Sequence, residues 1–372
     1  MSRLLNLSLT YFRNHLHSQF HFETLNTVII APNAEGKTSV LEAIQLLATG
    51  ESFRADKVEE MVTFDQELGR IKGTVELQRS DQTNLDSEDQ ERVELEVIAT
   101  RGMVQGKKTQ ARLYAVNTVR RRKKDFIGHF FTVSFRPEDM RLMEGSPGRR
   151  RTFMDTPLGL LKPSYSESLS IYDQALKRRN KLLQSVREGE MPASVLTYWN
   201  LQLIKHGELI QKQRRDFLDF FSGVDFPLAF SIEYQPSVMS AERIQEYLDR
   251  EIAAGHTLIG PHKDDFMVLL KTQLSSMPMD ISLYGSRGQQ RMAVLWLKIA
   301  EQRFLEEKGG KLPVLLLDDI LSELDEQAQD RVLSLFGKNQ VILTTTDENV
   351  VARIKTIVSQ LTVLKLDTEM RK

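Results

Sequence analysis

Residues 31–38 read Ala31-Pro32-Asn33-Ala34-Glu35-Gly36-Lys37-Thr38, directly after the apolar run FHFETLNTVII. The segment that follows has Val40, Leu41, Ile44 and Leu47 at helical spacing and Gly50 as its stop. A strand that turns into a helix through Gly-Lys-Thr curls backbone N–H groups toward the helix N-terminus, where they can surround an oxyanion. Lys37 can then neutralise the outer phosphates of a nucleotide, and the Thr38 hydroxyl can bind Mg2+. With Ser39 next, the segment fits a phosphate-binding loop at every slot but the first, where Ala31 stands for glycine. That change weakens the loop only if position 31 needs a positive φ. Lys37 is expected to be solvated in the free protein.

The second half of such a site is an acidic residue at the end of a buried strand. Leu312 to Asp319, LPVLLLDD, fits with an apolar run closed by two carboxylates. Asp318 is placed to hold Mg2+ through water. Asp319 either polarises an attacking water or caps the next turn. Asp318 lies 281 residues beyond Lys37 (318 − 37), far more than a compact nucleotide fold needs. Both chain ends are therefore expected to build one α/β head, with the middle inserted as a largely helical second lobe. The expected boundaries are 1–130 and 291–372 for the head and 131–290 for the insert.

The intervening pattern fits that division. The first 30 residues read as two or three strands, and residues 70–135 as β-rich. Amphipathic stretches at about 166–187 and 194–221, separated by GEMP, predict a helical hairpin with Tyr172, Leu183, Leu203, Ile210, Phe217 and Phe220 among its apolar positions. A strand LAFSIEY, a helix from Ser240 toward a Gly255 cap and a strand FMVLL follow, before the α/β pattern resumes. With no cysteine, disulfides, thiol catalysis and cysteine-bound metals are excluded. No apolar run reaches the roughly 18 residues a membrane span requires, so a cytoplasmic protein without a membrane partner is expected.

The net charge of −1 hides an uneven distribution. Arg101 to Lys124 holds nine basic and no acidic residues, and an acidic stretch (Asp81, Asp86, Glu88, Asp89, Glu91) precedes it. Arg120, Arg121, Arg122, Lys123 and Lys124 are candidates for the DNA backbone, or else a solvated hairpin balancing the acidic stretch. Arg149, Arg150 and Arg151 are open to the same reading or to an internal ion-pair cluster. His262 beside Asp264 and Asp265 marks either a metal site or a hydrogen-bonded turn.

Gly285-Ser286-Arg287-Gly288-Gln289-Gln290-Arg291 precedes another amphipathic helix. Ser286, Gly288 and Gln289 form either a second anion site or an ordinary helix cap. The order of phosphate loop, long insert, SxGQ and LDDILSELD resembles the ABC-type ATPase heads of SMC-like proteins. FRNH, GKTSVLEAI, SFR, FRPEDM, RRRTFMD, ALKRRNKLL, GPHKDD and GSRGQQR make the chain similar, over nearly its whole length, to the RecF family of bacterial recombination and gap-repair proteins.

That resemblance implies an ATP-dependent homodimer in which the phosphate loop of one protomer and Ser286 and Gly288 of the other enclose each nucleotide. Ser322 to Asp325 would touch the partner across that interface. It further implies action at single-stranded gaps and duplex junctions, assisting RecA loading with RecO and RecR. No histidine follows QVILTTT, where Thr345, Thr346 and Asp347 stand, so weak ATP hydrolysis is expected. The glutamine of transporter ATPases is also absent, and Glu138 or Asp139 takes its region. A different ABC or SMC-type clamp, or a transporter subunit, are the competing classes.

Overall fold

The computed structural model describes residues 2–77, 91–272 and 277–366. Its contacts divide the chain into two units, residues 1–139 with 301–372, and residues 140–300. Among the described residues, no helix is long and apolar enough to cross a membrane.

The first unit carries two sheets. One is antiparallel with six strands in the order His15–His21, Ser2–Phe12, Leu68–Leu77, Glu91–Thr100, Arg112–Val116, Val119–Arg121. Its strands alternate buried and exposed residues, as a sheet with one covered face should. The other is parallel with five strands, in the order Thr132–Phe135, Val314–Asp318, Val341–Thr345, Asn26–Ile30, Thr362–Lys365. Four of these, Asn26–Ile30, Thr132–Phe135, Val314–Asp318 and Val341–Thr345, are buried at every residue, and the apolar runs 28–30, 314–317 and 341–343 fall within three of them. Helix Lys37–Thr49 buries Val40, Leu41, Ile44 and Leu47 in a core shared with Leu7, Leu9, Ile71, Val97 and Leu316. In the parallel sheet, Asn26–Ile30 and Val314–Asp318 both flank Val341–Thr345. Residues 280 positions apart thus end on one sheet edge, where open α/β sheets bind ligands.

The second unit contains helices Pro147–Leu161, Pro163–Arg187, Thr197–Phe220 and Ala241–Ala254 and a three-stranded antiparallel sheet, Phe230–Gln235, Asp265–Leu270, Met279–Asp280. The helical hairpin forms as expected, although its second arm opens with a 3-10 turn, Ala193–Leu196. Leu203, Ile210 and Phe217 are fully buried, whereas Phe220 is only half-buried. Ser240 accepts from Arg243 N and Gly255 takes the left-handed cap position at φ 70°, the two ends anticipated for that helix. Helix Pro147–Leu161 was not expected: it contains Pro157, and its buried apolar residues, Phe153, Met154, Leu158 and Leu160, all fall from residue 153 onward.

Arg150 grips Asp265 with two hydrogen bonds (Nε to Oδ1 2.6 Å, Nη2 to Oδ2 2.9 Å), and Arg151 donates to the Asp264 carbonyl at 3.0 Å. This decides between the two readings of that arginine run for these residues, leaving Arg149 exposed. Asp264, fully buried, accepts from Gln211 Nε2 at 2.8 Å, Arg214 Nη1 at 2.9 Å, Tyr234 Oη at 2.5 Å and Ser237 N at 2.8 Å. The GPHKDD segment is accordingly a hydrogen-bonded turn, and no cluster of three or more metal-ligating side chains exists among the described residues.

Candidate functional site

The loop after Asn26–Ile30 has its left-handed positions at Ala34 (φ 66°) and Gly36 (φ 91°). Ala31 is not one of them, and its N–H donates to Thr345 O at 3.3 Å, so alanine costs nothing conformational there. Pro32, Asn33 and Ala34 are exposed, Glu35, Gly36 and Thr38 half-buried, and Ser39 buried. A Cβ on Gly36 would lie 2.7 Å from His15 Nε2 and 2.8 Å from Asn14 Oδ1. Glycine is therefore required twice, by its φ and by the close approach of the Asn14-His15 turn.

Lys37 is not solvated. Its residue is 7% exposed, and its ammonium donates to Ala31 O at 2.6 Å and Pro32 O at 2.8 Å, inside the loop. Burial lowers its pKa, opposed by the charges of Asp319, Asp318 and Glu35 in that order. The loop folds over its lysine because two backbone carbonyls there have an amine as donor.

Thr38 Oγ1 donates to Asp318 Oδ1 at 3.1 Å, and Thr344 Oγ1 donates to the same oxygen at 2.8 Å. Asp319 takes a left-handed conformation (φ 49°, ψ 23°) at the start of the turn Ile320–Glu323, yet its side chain makes no cap hydrogen bond. Its backbone N–H is held by Thr344 O at 3.1 Å and Thr344 Oγ1 at 3.2 Å. A non-glycine residue pays strain for that conformation, a feature that concentrates at functional sites. Lys37, Thr38, Asp318 and Asp319 thus converge on one sheet edge.

Asp347 caps helix Glu348–Ile357 through Asn349 N at 2.8 Å, Thr345 is buried and Thr346 exposed. Asp139 accepts from Arg136 N at 2.9 Å and Arg136 Nη2 at 3.2 Å, which leaves Glu138 as the exposed acid of that region. Asp325 caps helix Glu326–Leu333 through Ala328 N at 2.9 Å, and Ser322 Oγ donates to Asp319 O at 2.7 Å.

In the second unit, Ser286 and Gln289 form a reciprocal cap: Gln289 N donates to Ser286 Oγ at 3.3 Å and Ser286 N to Gln289 Oε1 at 2.9 Å. Ser286 is exposed, and a Cβ on Gly288 would meet nothing nearer than Ser286 Oγ at 4.0 Å. The cap does not exclude the anion site, because the Ser286 hydroxyl stays exposed at the N-terminus of the 23-residue helix Arg287–Gly309.

Arg120, Arg121 and Arg122 are exposed at the outer strand Val119–Arg121, and no ion pair holds them among the described residues. Lys123 pairs with Glu51, and Lys124 is exposed. Of the acidic stretch, Asp81, Asp86, Glu88 and Asp89 lie outside the described residues.

The sequence reading gave no role to FRNH, to Glu42 or to SFR. Arg13 binds Glu42 through Nε to Oε2 at 2.9 Å and Nη2 to Oε1 at 2.7 Å, and Ser52 Oγ donates to the same fully buried carboxylate. Three separate motifs thereby brace the helix that begins at Lys37. The signal was present as a buried-face Glu in an apolar helix, a position that demands a partner.

Two sheets packed on one helix, with a phosphate loop and an acidic strand end on a common edge, make this an ABC-type ATPase head. The family model described as RecF/RecN/SMC N terminal domain matches residues 3–366. Proteins named DNA replication and repair protein RecF from Bacillus cytotoxicus and Bacillus mycoides are each 34% identical, with 91% of this chain and 91% of theirs aligned. A solved structure of the recombination mediator protein RecF with ATP, in the RecFOR pathway, superposes with a TM-score of 0.79 at 28% identity, covering 93% of this chain and 92% of that one. The Smc head domain from Pyrococcus furiosus shares the fold alone, with a TM-score of 0.50 at 16% identity over 98% and 93% of the chains. The chain belongs to the RecF family.

Proposed function

We propose that this chain binds ATP with Mg2+ in its phosphate loop and, in that state, forms a homodimer on DNA. In that role it acts in recombinational gap repair and replication restart in the cytoplasm, assisting RecA loading with RecO and RecR. The observation that carries the reading is the 3.1 Å hydrogen bond between Thr38 and Asp318, which joins the two halves of a nucleotide site. The names of the RecF relatives and of the ATP-bound RecF structure support it.

The residues fit the nucleotide. Gly36 leaves a cradle that any side chain would fill, and the Lys37 ammonium, which donates to the carbonyls of Ala31 and Pro32 inside the loop, would donate to phosphate oxygens in their place. Thr38 would offer its hydroxyl to Mg2+ and Asp318 would hold the ion through water, and the phosphates would complete a shell that two side chains cannot. Mg2+, when bound, supplies positive charge against the phosphate oxygens. Asp319 orients and polarises the attacking water, and Ser286 and Gly288 of the second protomer close the site over the terminal phosphate. Arg120, Arg121, Arg122, Lys123 and Lys124 neutralise DNA phosphates without reading sequence.

The test is ATP affinity, by calorimetry, in Lys37→Met. Affinity should fall at least about tenfold, since one charge-assisted contact is worth roughly 1.5–3 kcal/mol. The melting temperature should also drop slightly, because Ala31 O and Pro32 O lose their donor. Unchanged ATP affinity would remove the phosphate-loop assignment.

A further inference from the structure

The run Lys177-Arg178-Arg179-Asn180-Lys181 lies in the middle of helix Pro163–Arg187. Two of its residues are spent inside the second unit. Arg179 is fully buried and binds Glu251 Oε2 at 2.6 Å, Thr257 Oγ1 at 2.8 Å and Asn200 Oδ1 at 2.7 Å. Asn180 Oδ1 accepts from Thr257 N at 2.9 Å and Thr257 Oγ1 at 2.7 Å. The other three, Lys177, Arg178 and Lys181, are exposed, and none is ion-paired among the described residues.

Lys177 and Lys181 are four residues apart and Arg178 and Lys181 three, so like charges face each other on one helix surface, an arrangement that destabilises the helix. Among the described residues, no ion pair or hydrogen bond of this unit requires it. Asp173, one turn earlier, is the one exposed acid between Ser170 and Gln184 on this helix, and Lys177 acts on it only at a distance. The remaining exposed side chains of that stretch are Ser170, Gln174 and Gln184, with no apolar residue among them. A protein interface is built around buried apolar or aromatic anchors. A phosphate backbone needs only cations and small hydrogen-bonding side chains.

We infer that the Lys177, Arg178 and Lys181 face of helix Pro163–Arg187 is a DNA-backbone contact on the helical unit, separate from the Arg120–Lys124 edge. The inference rests on the DNA-binding reading given above. It assigns sequence-independent phosphate contacts to a surface on which the hairpin's own packing makes no claim.

The experiment is fluorescence anisotropy of the full chain with a labelled gapped duplex, with ATP and Mg2+, over a series of KCl concentrations. The variant carries Lys177→Gln, Arg178→Gln and Lys181→Gln. Each lost phosphate contact should flatten the plot of log affinity against log salt by about 0.9, so the three together should flatten it by roughly 2 to 3. Affinity at the lowest salt should fall by about tenfold or more, while ATP affinity and melting temperature stay at parental values. Lys177→Gln alone should give about one third of the slope change, which guards against a folding defect in the triple variant. A parental slope in both variants overturns the inference, as does loss of an acidic protein partner with DNA binding intact. Absence of DNA binding by the parent chain itself overturns the DNA reading, and this assignment with it.

Discussion

Thr38 Oγ1 and Thr344 Oγ1 donate to a single oxygen of Asp318, at 3.1 and 2.8 Å. One donor closes the phosphate loop and the other stands on the strand Val341–Thr345 between the two halves of the site. The carboxylate of a buried residue is thereby aimed before any ligand contributes to its position, and among the described residues no hydrogen bond holds its second oxygen. Preorganisation of this kind means that little has to be reordered when charge arrives.

Asp319 should separate binding from turnover. Asp319→Asn keeps the size and the left-handed backbone preference of the native residue, so ATP affinity should stay near the parental value. Hydrolysis should slow by roughly 100-fold or more, the lower range for losing a general base. Phosphate release and calorimetry on one preparation check both. Equal loss of affinity and turnover would assign Asp319 to binding.

The outer-strand arginines predict a salt effect. Changing Arg120, Arg121 and Arg122 to Glu should weaken DNA binding alike for unrelated sequences and flatten its salt dependence, since fewer counterions are released. Titrations of two duplexes of different sequence across a salt series measure it. An unaltered slope would mean that these side chains balance acidic groups of the chain itself.

His262 makes stability depend on pH. Its Nε2 lies 3.2 Å from Thr257 O and its Nδ1 2.8 Å from Tyr172 Oη, which suits a neutral ring donating from Nε2 and accepting at Nδ1. Burial is the main cause that pushes its pKa down to about 4, from an ordinary value of 6.5. The unfolded chain then binds more protons than the folded one between these values, so the stability from the neutral histidine is lost as pH falls from 6.5 toward 4. At about pH 5 this amounts to roughly 2 kcal/mol relative to neutral pH. Urea unfolding of the parent and of His262→Gln at both pH values should show a shallower decline in the variant. Identical declines would place the titration elsewhere.

The parts of this architecture with a local cause were legible in the sequence. Ser240 and Gly255 bounded their helix, the continuous apolar runs marked buried parallel strands, and Gly-Lys-Thr fixed the loop because the backbone itself makes the site. The buried ion pairs were not. Arg179 with Glu251 and Arg13 with Glu42 join residues 72 and 29 positions apart, and a charged residue looks the same in a sequence whether water or a carboxylate surrounds it. Lys37 was misplaced for a related reason: the carbonyls of Ala31 and Pro32 that receive its ammonium are set by how the loop closes, not by their residue types.

The central claim is that ATP joins two copies of the chain through the phosphate loop of one and Ser286 of the other. Ser286 is exposed at its helix terminus, so a larger residue there leaves the unit's own core untouched. Light scattering with a gapped duplex and Mg2+, with ATP and with ADP, tests it most directly. The protein should double in mass with ATP and stay monomeric with ADP, and Ser286→Arg should stay monomeric with either while still binding ATP. Equal masses under both nucleotides, or full ATP-driven dimerisation of Ser286→Arg, would contradict the shared site.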